Sequence, residues 1–275
     1  MNRVVVLMYH ALWSNAAELS RIDPTDRSYA LPLTEFVAQL DALRERGIGV
    51  LDPASLQHGV PEQGGVVLSF DDGHASNAEL ALPELRRRGM QAVFFVSTAH
   101  VDRPGFCSAG QLRELAAANM LVGAHGHTHR FLSELGDADL ADELRASQAV
   151  LGAALGASAR HMSFPGGRLD ARSMAAARRA GFEVLYGSAV GSLRPGARLP
   201  AGALPRIAVR PGLSIAKFVD FARAAPARMA RSRATAAAKN AARTLLGNER
   251  YHRLYARLRS GSRADTRAAY RSYDR

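Results

Sequence analysis

A parallel β/α barrel is the fold that this sequence predicts, on three observations. Strand and helix signals alternate along most of the chain, as an α/β architecture requires. The segments richest in chemistry-bearing side chains, at Asp71, His125 and Pro165, each follow a predicted strand, so they would gather at one mouth of a barrel. Finally, 275 residues with 47% hydrophobic content are enough for one large domain with an extension.

The elements follow in order. Residues 4–8 are the first predicted strand. Residues 34–46 are a helix with Phe36, Val37, Leu40 and Leu43 on one face and Gly47 as its stop. Residues 66–70, Val-Val-Leu-Ser-Phe, read as a buried parallel strand, and 78–88 as a helix stopped by Gly89. Residues 92–96 are a strand, and Ser108 with Gln111 forms a capping-box start for a helix to about residue 119. A strand at 121–124, a helix at 137–155, a strand at 161–164, a helix at 170–180 stopped by Gly181 and a strand at 182–186 come next. Residues 205–209 are the last strand, and 214–225 a closing helix that Pro226 breaks. The expected division is therefore a barrel domain over 1–225 and a basic helical tail over 226–275.

Charge separates the same two parts. Residues 206–275 hold 17 Lys or Arg against 4 Asp or Glu, while the rest holds 19 against 21. Residues 227–246 are rich in Ala and Arg and end at Gly247-Asn248. Residues 249–259 then place Tyr251, Leu254, Tyr255 and Leu258 at helical spacing, and the chain beyond Ser260 is expected to be loose. Such a stripe suits docking on the barrel or contact with an anionic membrane surface; nucleic acid is the least favoured partner. No segment approaches the roughly 18 apolar residues of a membrane span, and residues 1–9 are too short for a signal-peptide core, so a cytoplasmic protein is expected, peripheral to the inner membrane if the tail binds lipid. The single cysteine, Cys107, excludes an intrachain disulfide and reads as structural.

The chemistry lies in two segments. Asp71-Asp72-Gly73 puts adjacent carboxylates in the turn after a strand, and Gly123-Ala-His125-Gly-His127-Thr-His129 puts three imidazoles within five residues. Asp and Gly also favour turns for backbone reasons alone, but the histidines have no such explanation. Two imidazoles and one carboxylate suit a borderline-soft divalent ion, zinc above all, and leave a coordination position for water. The other Asp is then available as a base. His127 alternates with its two neighbours along an extended chain and is the expected bystander.

These residues resemble the polysaccharide deacetylase family, also called the NodB-homology or carbohydrate esterase 4 group. Ser69-Phe70-Asp71-Asp72-Gly73 is similar to its T-F-D-D-G motif, His125 to His129 to its histidine motif, and Phe164-Pro165-Gly166-Gly167 to its third loop. Leu7-Met8-Tyr9-His10 and Leu204-Pro205-Arg206-Ile207 resemble signatures of its exopolysaccharide subgroup. The resemblance implies a distorted (β/α)7 barrel and hydrolysis of N-acetyl groups from N-acetylhexosamine units. It implies Asp72, His125 and His129 as metal ligands, Asp71 as general base, and a backbone N–H near Gly166, in the Pro165-Gly166 loop, as oxyanion donor.

Two family features are absent. No histidine lies between His161 and His252 to supply the late leucine-x-histidine acid, and Ser163 stands where the third motif carries arginine. His10, at the end of the first strand, is the expected general acid. His161 is expected to be structural, His74 to stand behind the metal ligands, and Arg206 or Arg168 to partner the base or the substrate. The alternative reading is a non-catalytic, metal-containing carbohydrate-binding module with a membrane-surface tail.

Overall fold

The structure is a computed structural model that describes residues 2–24 and 26–238. The elements run in the order β1 (Val4–Tyr9), β2 (Leu12–Trp13), α1 (Ala16–Arg21), β3 (Leu31–Pro32), α2 (Leu33–Glu45), β4 (Gly65–Phe70), α3 (Leu82–Arg87), β5 (Ala92–Val96), α4 (Ala109–Ala117) and β6 (Leu121–Ala124). They continue with α5 (Asp137–Leu155), β7 (His161–Ser163), α6 (Ala171–Arg179), β8 (Val184–Tyr186), β9 (Ile207–Ala208) and α7 (Ile215–Ala222). Seven strands form one parallel sheet in the order β8-β7-β6-β5-β4-β1-β9, and β2 pairs with β3 alone.

Burial on both faces explains why the strands read as continuous apolar runs rather than alternating ones. On β1 and β4, Val4, Val6 and Val67 pack inside the curl with Val93, Phe95, Val184 and Tyr186. Val5, Leu7, Tyr9, Val66, Leu68 and Phe70 face the other way, toward Phe36, Leu40 and Leu82 of the helices. The sheet curls into a distorted (β/α)7 barrel. Strand β8 meets β9 only through the approach to it: Leu204 N–H donates to Leu185 and Gly187 N–H to Leu204, in a single parallel bridge between Tyr186 and Leu204. The distortion is this short seam.

Helix stops fall on left-handed residues where the sequence places them, at Gly47, Gly89 and Gly181, and the Ser108–Gln111 capping box is present. The helix expected over 78–88 divides. Asn77–Ala81 is π-helical and the α-helix starts only at Leu82, with proline in its first turn. Pro83 has no N–H for the preceding turn and its ring crowds the carbonyl four residues back, so that turn widens. Pro226 is likewise not the breaker of the closing helix. α7 ends at Ala222, Ala224 turns left-handed at φ 52°, and residues 226–238 form a new helix that the proline opens. The compact unit extends to Met229, which is buried, and a second unit starts at Ala230. Among the described residues no helix is long and apolar enough to cross a membrane. The expected stripe at Tyr251, Leu254, Tyr255 and Leu258 lies outside the described residues.

Candidate functional site

Three strand ends assemble the centre. β4 ends at Phe70, so Asp71 and Asp72 enter the mouth together, and the following turn places Asp72 at φ 75° and Gly73 at φ 80°. Asp tolerates the left-handed region better than most residues, and a Cβ on Gly73 would come within 3.0 Å of Val96. The turn preference and the chemistry of this motif are thus one property. β6 ends at Ala124 and delivers His125, while His129 is turned back toward it by its own positive φ of 63°.

Asp72 Oδ1 lies 3.3 Å from His125 Nε2 and 3.2 Å from His129 Nε2. The three ligand atoms all lie within 4.8 Å of one another. His125 Nδ1 is 3.1 Å from the Ser163 carbonyl, which can only accept, so the ring proton is on Nδ1 and the Nε2 lone pair faces Asp72. A metal-ligating histidine is normally prepared in this way. Burial alone would raise the Asp72 pKa, but the electrostatic pull of the surrounding imidazoles, His125 and His129 foremost, outweighs it and holds the carboxyl well below its ordinary value. Burial works against charge on His129 too, yet Asp72 raises its pKa overall. An anionic oxygen facing two imidazole nitrogens fits a divalent cation.

Asp71 is held differently. Arg206, fully buried, donates from Nη1 to Asp71 Oδ1 and from Nη2 to Oδ2, both at 2.7 Å, and from Nε to the Gly187 carbonyl at 2.8 Å. This is a bidentate fork. Burial pushes the Asp71 pKa up, and the guanidinium, with His125, more than reverses it. Arg206 therefore keeps a buried carboxylate ionised, while Arg168 does not reach it. Arg168 pairs with Glu134 and lies 4.1 Å over the Phe131 ring.

Of the remaining expected residues, His10 stands at the mouth just after β1. Its ring lies 4.6 Å from that of Tyr29, its Nδ1 is buried without a hydrogen-bond partner, and burial lowers its pKa against the opposing pull of Asp72 and Asp71. Pro165 and Gly166 form a turn after β7, with Gly166 at φ 61° and the N–H groups of Gly167 and Arg168 bonded inside it. Pro165 lies against the histidine loop, 3.4 Å from where a Gly126 Cβ would be. His127 bonds through Nδ1 to Thr98 Oγ1 at 2.8 Å, away from the Asp72 cluster. His74 stacks on Phe106 with Nε2 3.6 Å from Asp72 Oδ2, too far for a hydrogen bond. Asp26, Asp72 and His74 also have ligand atoms within 4.8 Å of one another. His161 is inside the barrel, bonded to Gln57 and Tyr186. Cys107 is buried with its thiol pKa pushed up to about 12, as befits an inert side chain.

The sequence reading missed Glu143. It is buried on α5, and its carboxylate accepts the N–H groups of His127 and Thr128 at 2.8 and 2.9 Å and the Thr128 hydroxyl. A signal was there: Glu143 shares the apolar face of α5 with Leu140, Leu144 and Leu151, and a carboxylate on a buried face needs partners.

Comparison with known proteins finds polysaccharide deacetylases by sequence and by fold. A family model described as Polysaccharide deacetylase matches residues 58–185. The chain is 26% identical over 221 residues to YxkH of Bacillus subtilis (strain 168), which carries the name of a polysaccharide deacetylase, covering 78% of this chain and 75% of that one. Among solved structures, IcaB from Ammonifex degensii superimposes with a TM-score of 0.67 at 26% identity, covering 81% of this chain and 97% of its own. The Streptococcus pyogenes deacetylase PplD, in complex with acetate, has the same fold at a TM-score of 0.69 and 20% identity, covering 80% and 98%.

Proposed function

We propose, because the chain belongs to the polysaccharide deacetylase family, that it removes N-acetyl groups from N-acetylhexosamine units of a polysaccharide or glycan precursor with a divalent metal, zinc above all. One observation carries this reading: Asp72 meets His125 Nε2 and His129 Nε2 directly beside a second buried carboxylate, Asp71, that a bidentate arginine keeps ionised. Asp72, His125 and His129 would hold the ion. When bound, it supplies Lewis-acid polarisation of the acetyl carbonyl and acidifies water.

The chain's own groups do the rest. Asp71 takes a proton from the attacking water. A backbone N–H near Gly166, in the turn that Pro165 opens, would serve the oxygen on which charge develops. His10, at the mouth after β1 with its Nδ1 buried and unpartnered, gives a proton to the departing amine. A cavity of about 380 Å³ beside the centre, lined by His74, Phe106, Ile22, Leu80 and Asp26, offers room for a sugar unit. The basic tail gives the protein a second partner, an anionic membrane surface.

The test is acetate release from N-acetylated chitooligosaccharide or poly-N-acetylglucosamine by chelator-treated protein, with and without added zinc. Release that depends on zinc is expected. A zinc-loaded protein that binds the glycan and releases no acetate would instead be a carbohydrate-binding module.

A further inference from the structure

Ser163, the last residue of β7, links the two halves of the centre, and it is completely buried. Its carbonyl and its hydroxyl both contact His125 Nδ1, and its hydroxyl donates to Asp71 Oδ1 at 3.2 Å. The direction of each bond is determined by chemistry. A carbonyl cannot donate, so the proton is on His125 Nδ1; the serine oxygen accepts from the ring, and its own hydrogen is left for Asp71.

The two oxygens of Asp71 are thereby made unequal. Oδ1 accepts from Arg206 Nη1 and from Ser163, whereas Oδ2 accepts from Arg206 Nη2. We propose that Ser163 is a positioning residue: its hydroxyl saturates Asp71 Oδ1, so that Oδ2 is the oxygen that accepts the proton from water, and the same group fixes the tautomer and tilt of His125 for the metal. This rests on the reading of Asp71 as the base. The two roles come from one hydroxyl, so one substitution disturbs both. Asp71 then keeps only the arginine fork, which treats its two oxygens alike, and His125 keeps only the carbonyl as its anchor.

The experiment compares wild type, Ser163→Ala and Ser163→Thr. It reads kcat and KM separately on N-acetylated chitooligosaccharide, zinc affinity by competition with a chromogenic chelator, and the thermal midpoint. For Ser163→Ala, kcat should fall about 10- to 100-fold with KM within about twofold, and zinc affinity should fall about 10-fold, the usual consequence of losing a partner behind a ligand. Ser163→Thr keeps the hydroxyl and should recover most of both. Wild-type kcat and zinc affinity in Ser163→Ala overturn the proposal, as does equal impairment of the alanine and threonine variants. Should Ser163→Ala fail to fold, Ser163→Cys, with similar volume and only a weak S–H donor, is read in the same way. If wild type releases no acetate, the deacetylase reading fails on its own. Zinc affinity then decides the case of Ser163, and an unchanged value in Ser163→Ala overturns it.

Discussion

Asp71 and Asp72 are adjacent in sequence and identical in composition, and their surroundings divide their work. Asp72 looks at imidazole nitrogens and Asp71 at a guanidinium. Asp71→Asn should therefore retain zinc while acetate release falls about 10²- to 10⁴-fold, the span attributed to general-base catalysis. Loss of zinc in that variant, measured by metal analysis, would make Asp71 a ligand instead. The variant also deprives buried Arg206 of its counter-charge, so rates must be compared below its lowered melting temperature. His161 supplies a separate test through pH. Burial lowers its pKa to about 4, so the unfolded chain takes up a proton that the folded one refuses. Its contribution to stability is complete above pH 6.5 and is lost as pH falls from 6.5 toward 4, a change of about 3 kcal/mol. His161→Gln should flatten that acid limb, measured as urea midpoints at pH 7 and pH 5; an unaltered limb would assign the proton uptake elsewhere. At this scale the cluster of Asp72, His125 and His129 was legible because histidine clusters have few structural uses. Ser163 was legible only as an arginine that was missing, since a hydroxyl announces no partner until β7 is laid against β4 and β6.

The elements show why some positions escape a sequence reading. α5 follows the apolar spacing of its sequence, and its register alone delivers Glu143 under the histidine loop. Glu143→Ala leaves the His127 and Thr128 N–H groups and the Thr128 hydroxyl without their acceptor; because Thr128 is exposed, water can replace part of what is lost, and the total cost should be about 1–3 kcal/mol. We expect lower thermal stability and, because His129 is the next residue after Thr128, weaker zinc binding, with Glu143→Gln intermediate. Chelator competition giving wild-type affinity for Glu143→Ala would show that the loop holds its shape unaided. Strand positions were readable from apolar runs, helix stops from glycine. The π-helical turn at Asn77–Ala81 was not, because the periodicity of residues 78–88 hid the effect of Pro83. The β2–β3 pair and α1 escaped as well: two-residue strands are too short to show a period.

For the whole molecule, the division of charge matters beyond the barrel. From residue 230 onward the sequence holds 12 Lys or Arg against 3 Asp or Glu. Truncation after Met229 should preserve activity on a soluble oligosaccharide and abolish co-sedimentation with anionic vesicles, and binding by the intact chain should weaken as salt rises. Truncation after Ala225 removes buried Met229 and should lower stability as well, by roughly the 2–5 kcal/mol of a large core deletion. Equal vesicle binding by intact and shortened chains would dismiss the tail as an anchor. The barrel itself was readable as alternation, but its closure was not, since the seam between β8 and β9 depends on backbone bonds from the irregular stretch around Leu204. That seam has a consequence for how activity is lost. Arg206 is only two residues past Leu204 and directly before β9, so the clasp on Asp71 is fastened to the least paired part of the ring. Local opening there unfastens the clasp while the remaining strands stay zipped. Amide protons of Leu204 and Arg206 should exchange with deuterium sooner than those of β4 and β5, and catalytic failure on warming should precede the global melt.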